Sequence, residues 1–167
     1  VLGTLSQQRI VEWDAVRDAN YGIAIHMHGD DEAGLQTEVK GLLAAVDGVG
    51  DHTFVPVHQP DLGEDALDRI KEYEERTECA HLGRLDEQAV SYLLIDVEAD
   101  RLNRVYAGLY VTDEVVVLEA DTHSSRLVAV VQSEDFAALR RVVSDRIRLL
   151  GGVAGVVEMK VIPRDMM

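Results

Sequence analysis

Near the C-terminus the apolar positions change period twice, and the changes mark out a strand, a helix and a second strand. Leu127–Val131 is a continuous apolar run, the pattern of a strand buried on both sides or in a dimer. Ser133 is placed to cap the helix that follows, with Glu134 and Asp135 in its first turn, where negative charge suits the dipole. Phe136, Leu139, Val142, Val143, Ile147 and Leu150 then recur at helical spacing, and Gly151-Gly152 supplies the stop. From Val153 to Ile162 the pattern returns to alternation, with Val157, Met159 and Val161 set against Glu158 and Lys160.

The same reading runs back along the chain. Residues 4–19 space Ile10, Trp13 (or Val11) and Val16 like a helix capped by Thr4 or Ser6. Tyr21–His28 alternates as a strand, with Tyr21, Ile23, Ile25 and Met27 on one face and Ala24, His26 and His28 on the other. Asp30, Asp31 and Glu32 open a helix with the stripe Leu35, Val39, Leu42, Leu43 and Val46, ended by Gly48. Thr53–His58 returns as a strand, and Pro56 inside it points to an edge or a bulge.

Asp61 and Glu64 have capping-box spacing ahead of a helix that runs to about residue 86 on Leu67, Ile70, Tyr73, Thr77 and Ala80. Its glutamates 72, 74, 75 and 78 form a solvated face. Ser91–Val97 is a strand, and Val115–Ala120 another. Arg101–Tyr110 reads as a helix, although its end, YAGLYVT, has an extended alternative. Residues 121–125 are a polar turn.

Shifted by 104, residues 22–57 lie over 126–161 without a gap and match at 7 of 36 positions, among them Leu35/Leu139, Val39/Val143 and Gly48/Gly152. That identity is too low to establish a duplication. The shared order of strand, acidic helix start, apolar stripe, Gly-Val and strand still defines two βαβ-containing modules. The fold class is α+β: residues 91–162 follow β-α-β-β-α-β, a ferredoxin-like antiparallel sheet with helices on one face. The domain reading is 1–88 for the N-terminal helix, first module and connecting helix, and 89–167 for the second unit.

Net charge is −15, with three lysines against thirteen arginines, so a direct nucleic-acid contact lacks the basic residues it needs to displace counterions. Scarce lysine beside abundant Asp, Glu and Val resembles the composition of proteins of a high-salt cytoplasm, a solubility adaptation favoured over an acidic interaction surface. A single cysteine, Cys79, permits no intrachain disulfide and points to a reducing compartment. No basic start with an apolar run resembles a signal peptide, and no stretch approaches the about 20 apolar residues of a membrane span, so the expected location is the cytoplasm.

Candidate chemistry is sparse. His26 and His28 share a strand face and are the metal candidates, with His52 and His58 on the returning strand. Against this, no acidic residue or cysteine completes a ligand set by spacing, and lone histidines on a half-exposed sheet are usually surface residues. Cys79 and His81 stand two apart, which on a helix does not bring them together. No phosphate-binding, zinc-protease or nucleophile-elbow motif occurs, and no cofactor is expected.

The strand SYLLIDV, the hairpin VVVLEADTHSSRLVAVV and the helix leading to LLGGVAGVVEMKVIP resemble the effector-binding domain of the Lrp/AsnC family of transcriptional regulators over residues about 90–163. The resemblance implies a dimeric α/β-barrel type of assembly, sheets face to face, further oligomerisation and a small-molecule effector at a subunit interface. Two departures stand out. The family's N-terminal helix-turn-helix is absent from residues 1–60, and the hairpin has His123 and Arg126 where the family tends to carry Gly and Asp. Binding of an amino acid is therefore in question, and an anionic ligand would suit His123, Ser124, Ser125 and Arg126 better; an ordinary polar hairpin tip is the plainer reading.

Three functions stay open. One is a stand-alone regulatory, ligand-sensing protein that oligomerises without touching DNA. The second is a metal- or haem-binding protein or enzyme of the dimeric α/β-barrel type. The third is an assembly chaperone, similar to the small ferredoxin-like chaperone of periplasmic nitrate reductases, whose acidic surface would meet the basic start of a signal peptide.

Overall fold

A computed structural model describes residues 10–18, 20–44, 47–77 and 89–163; the side chains of 10–13, 76 and 77 are not described. The strands are β1 (Ile10–Arg17), β2 (Ile23–Met27), β3 (Val57–His58), β4 (Ala89–Val97), β5 (Val115–Asp121), β6 (Arg126–Ser133) and β7 (Val153–Val161). The helices are α1 (Glu32–Ala44), α2 (Glu64–Thr77), α3 (Leu102–Tyr110) and α4 (Phe136–Arg141), the last continued by π-helical turns over Val142–Ile147. These strands belong to one antiparallel sheet in the order β2-β1-β7-β4-β6-β5-β3.

The segment β4-α3-β5-β6-α4-β7 is the expected ferredoxin-like unit, with β4 between β6 and β7. Helices α2, α3 and α4 cover one face. Leu93 and Ile95 of β4 and Leu127 and Val131 of β6 meet Val105 and Leu109 of α3, all at most 1% exposed. α4 and its π-helical extension add Leu139, Val143 and Ile147, and α2 adds Ala66 and Ile70. Gly152 makes the tight return into β7 at φ +111, and a Cβ there would stand 2.5 Å from the Cβ of Arg101. Both the conformation and the space demand glycine.

An antiparallel sheet with helices on one side has a second face to dispose of. Val90, Tyr92 and Leu94 of β4, Val130 of β6 and Met159 of β7 are buried there with Val16 of β1, and Tyr21 and Ala24 pack against them. The cover is thus the chain's own β1–β2 hairpin. It joins the sheet where Val16 and Arg17 pair with Val161 and Lys160. Across the face, the Tyr92 hydroxyl donates to Asp14 Oδ2 at 2.8 Å, with both residues buried.

Several expectations need correction. The helix read over residues 4–19 is, where described, the strand β1; residues 1–9 lie outside the described part. Its Ile10, Trp13 and Val16 fit a helical period by coincidence, while β-branched and aromatic residues favour a pleated surface. The cap of α4 is Asp135, whose carboxylate accepts from Ala138 N at 2.7 Å, and Ser133 ends β6. On α2, Leu67 is half exposed and Ala66 and Ile70 take the inward face. The expected continuation of this helix, with Cys79 and His81, lies outside the described residues. Strand 53–58 shrinks to the two residues of β3, and Pro56 does stand at a sheet edge. The two modules keep their element order but not their placement: β6 and β7 are separated by one strand, whereas β2 and β3 take opposite edges of the sheet.

The Tyr92–Asp14 bond is a buried polar link between the hairpin and the sheet, and a hydrogen bond to a charged group contributes about 1.5–3 kcal/mol. Tyr92→Phe is expected to lower stability by about that amount. Urea denaturation followed by Trp13 fluorescence checks it, through a lower midpoint with an unchanged slope.

Candidate ligand groove

The sheet curls so that its two edges approach each other without meeting, and a groove of ≈ 990 Å³ lies between them. β2 forms one wall. The segment 47–57 leading into β3, with Glu119 and Thr122 at the end of β5, forms the other. α1 lies along it, presenting Leu35, Val39 and Leu43.

α1 is held unlike the other helices. Its stripe follows the helical period, yet Leu35 alone is buried; Val39, Leu42 and Leu43 keep partial exposure. In α3, by contrast, Val105, Tyr106, Ala107 and Leu109 are all buried. A helix of 13 residues has little stability of its own and depends on packing of its apolar face. Here part of that face lines open space.

Two imidazole–carboxylate pairs bridge the groove in opposite senses. His26 on β2 reaches Glu119 on β5, Nε2 to Oε2, at 3.7 Å. His123 in the β5–β6 turn reaches back to Glu32 at the start of α1, Nε2 to Oε1, at 2.8 Å. The hydrogen bond and charge of Glu32 push the His123 imidazole above its ordinary pKa, and Asp121 adds to this. Thr122 Oγ1 lies 3.4 Å from Nδ1 of His58, tying the turn to β3. Each contact joins an element of the N-terminal half to the β5–β6 hairpin, and the two imidazole–carboxylate pairs tie β2 and α1 to it.

The residues singled out from the sequence divide accordingly. His26 and His28 both line the groove, their rings 5.5 Å apart. His52 lines it too, while His58 sits on β3 beside β5 and not beside β2. Among the described residues no three His, Cys, Asp or Glu side chains gather around a point where an ion would sit. In the hairpin, the Asp121 carboxylate accepts from His123 N at 2.9 Å and from Ser124 Oγ at 2.6 Å. The Ser125 carbonyl accepts from Val97 N at 2.9 Å, and Arg126 Nε donates to Asp96 at 2.8 Å. Ser124, Ser125 and Arg126 therefore hold the turn and its neighbours, and of the four only His123 is shown against a groove-lining residue, Glu32. Glu32 and Glu119 were not found from sequence. They come to the groove only because the sheet curls, a long-range consequence that no local spacing announces.

No family model and no curated protein matches this chain. Among solved structures, that of E. coli AsnC overlays on it with a TM-score of 0.43 at 18% identity, covering 58% of this chain and 70% of that one. A partial overlap of that quality is a likeness in the course of the chain. Among the described residues no helix is long and apolar enough to cross a membrane.

The His123–Glu32 pair sets a pH dependence. A raised imidazole pKa means the contact is fully present below the unfolded-state value and is lost as pH rises through the higher folded-state value. Proton NMR of His123 is expected to show a midpoint above the ordinary 6.5, and Glu32→Gln to bring it down. An unchanged midpoint in that variant would mean that Glu32 does not hold the His123 imidazole.

Proposed function

We propose that this chain is a stand-alone ligand-sensing regulatory protein and that its ligand binds in the groove between the sheet edges, with α1 as the responding element. The observation that carries the reading is the unfilled part of the apolar stripe of α1: Val39 and Leu43, beyond the buried Leu35, face a cavity that a ligand's apolar body would complete. A cavity near 1,000 Å³, apolar in large part and with a few convergent polar groups, has the usual build of a ligand site.

In this reading His123 belongs to the site through Glu32, and Ser124, Ser125 and Arg126 act by shaping the turn that carries it. His26 and Glu119 form the opposite clasp. Occupancy would pull α1 and the 47–57 segment onto β2, and oligomerisation with copies or with other regulators would pass that change on. A net charge of −15 supports a role without direct DNA contact. The resemblance of residues about 90–163 to Lrp/AsnC effector domains supports the regulatory assignment, with 89–167 as the scaffold; among the described residues it gives the groove only Glu119 and Thr122, and 1–88 supplies the rest of the lining. The site, however, sits between the two halves of one chain instead of at the hairpin tip.

Native mass spectrometry of freshly purified protein gives oligomeric state and retained mass together, and thermal melting measures the response. Ligand at 100 times its Kd adds about 2.7 kcal/mol, or roughly 5–10 °C for a chain of this size. Val39→Asp, on the half-exposed groove wall, is expected to keep the apo melting temperature within a few degrees and abolish the shift. A Val39→Asp protein that unfolds like a core variant, or one that keeps the ligand response, would contradict the assignment.

A further inference from the structure

We propose that the groove's ligand is an extended peptide segment carrying basic and apolar residues, added as a further strand along β2. This rests on the groove being the ligand site and names what it takes.

The backbone of β2 is the first argument. β2 ends the sheet, paired among the described residues only with β1. Val16 N donates to Gly22 O at 3.0 Å, which puts Gly22 in the hydrogen-bonded set and, at every second residue, Ala24 and His26 with it. The N–H and C=O groups of Ile23 and Ile25 therefore point outward, where among the described residues they meet no partner. Unpaired edge groups are a template for another strand, and chains usually blunt them with charge, proline or short length. The far edge follows that rule: β3 is two residues long and preceded by Pro56. β2 does not. It is five residues long, and 21–28 contains no Asp, Glu, Lys, Arg or Pro, in a chain with 28% charged residues. Ile23 and Ile25 are 46% and 36% exposed on this edge.

Charge is the second argument, and it specifies the occupant. Asp31, Glu32, Asp47, Asp51 and Glu119 line the groove, and among the described residues no lysine or arginine does. Asp31 is engaged in capping α1 through Gly34 N, and Glu32 and Glu119 face imidazoles. Asp47 and Asp51, on the rim opposite β2, have no ion-pair partner among the described residues. An anionic ligand finds no fixed positive charge here, since Arg126 is committed to Asp96. A peptide lying antiparallel to β2 would place alternate side chains toward the apolar stripe of α1 and the others toward the acidic rim. Apolar residues suit the first set, and lysine or arginine the second.

Fluorescence anisotropy with a fluorescein-labelled seven-residue peptide alternating valine with lysine and arginine tests this on the full chain. Binding is expected, weakening as salt rises, with slowed amide exchange at Ile23 and Ile25. A peptide with glutamate in place of the basic residues is expected not to bind. Methylation of alternate peptide nitrogens is expected to cost tenfold or more in one register and little in the other. The exposed pair Asp47→Asn and Asp51→Asn is expected to weaken binding severalfold and flatten its salt dependence while the melting temperature holds. Equal affinity for both methylated registers would overturn strand addition. If octylamine raises the melting temperature and no peptide binds, the groove is a small-molecule site: this proposal fails and the sensor reading stands. If neither binds and the purified protein carries no mass, both fail.

Discussion

An antiparallel sheet whose strands are apolar on both sides, with helices enough for one side, dictates the arrangement of this chain. β4 shows the constraint most directly: Leu93 and Ile95 face the helices, Tyr92 and Leu94 face away, and all four are buried. Covering the second face with water would expose a large apolar patch, so something must sit on it. The N-terminal hairpin does. It is anchored in register by Val16 against Val161 and pinned across the face by Asp14 and Tyr92, so the ferredoxin-like unit is capped from within its own chain.

The groove is a by-product of that cover. Once β1 joins β7 and folds over the second face, β2 arrives opposite β5 and leaves a gap that neither β2 nor β3 closes. α1, which follows β2, is carried to the mouth of that gap with part of its apolar stripe uncovered. The gap is spanned by side chains instead of by backbone, and the spans are imidazole–carboxylate contacts, which are weak when exposed; that of His123 depends on pH. A rigid sheet with one adjustable wall suits the ligand-sensing role proposed for this chain.

The C-terminal unit was legible because its signals are local. The run Leu127–Val131, the stripe Phe136–Ile147 and the Gly151-Gly152 stop need no knowledge of distant residues, and the β-α-β-β-α-β order follows from them. The N-terminal half was legible only in parts. IVEWDAVR offers both periods over too few residues to decide, and β1 owes its conformation to a partner strand at the far end of the chain, where Val16 meets Val161. The α4 cap went to Asp135 because β6 runs on through Ser133 and the helix starts only at Phe136, an offset set by sheet register. His26 and His28 are neighbours, as strand alternation implies, yet the contact of His26 with Glu119 depends on how far the sheet curls.

Amide hydrogen exchange across the intact, ligand-free chain is the most direct test of a tightly packed sheet with one loosely held wall. Amides of β4 and β6 should exchange only through global unfolding, while those of α1 open locally, faster by on the order of a hundredfold or more, and lose further protection, relative to the intrinsic rate, when pH rises past the His123 midpoint. Protection of α1 equal to that of α3, independent of pH, would mean that its stripe is already packed, and the groove would lose its role.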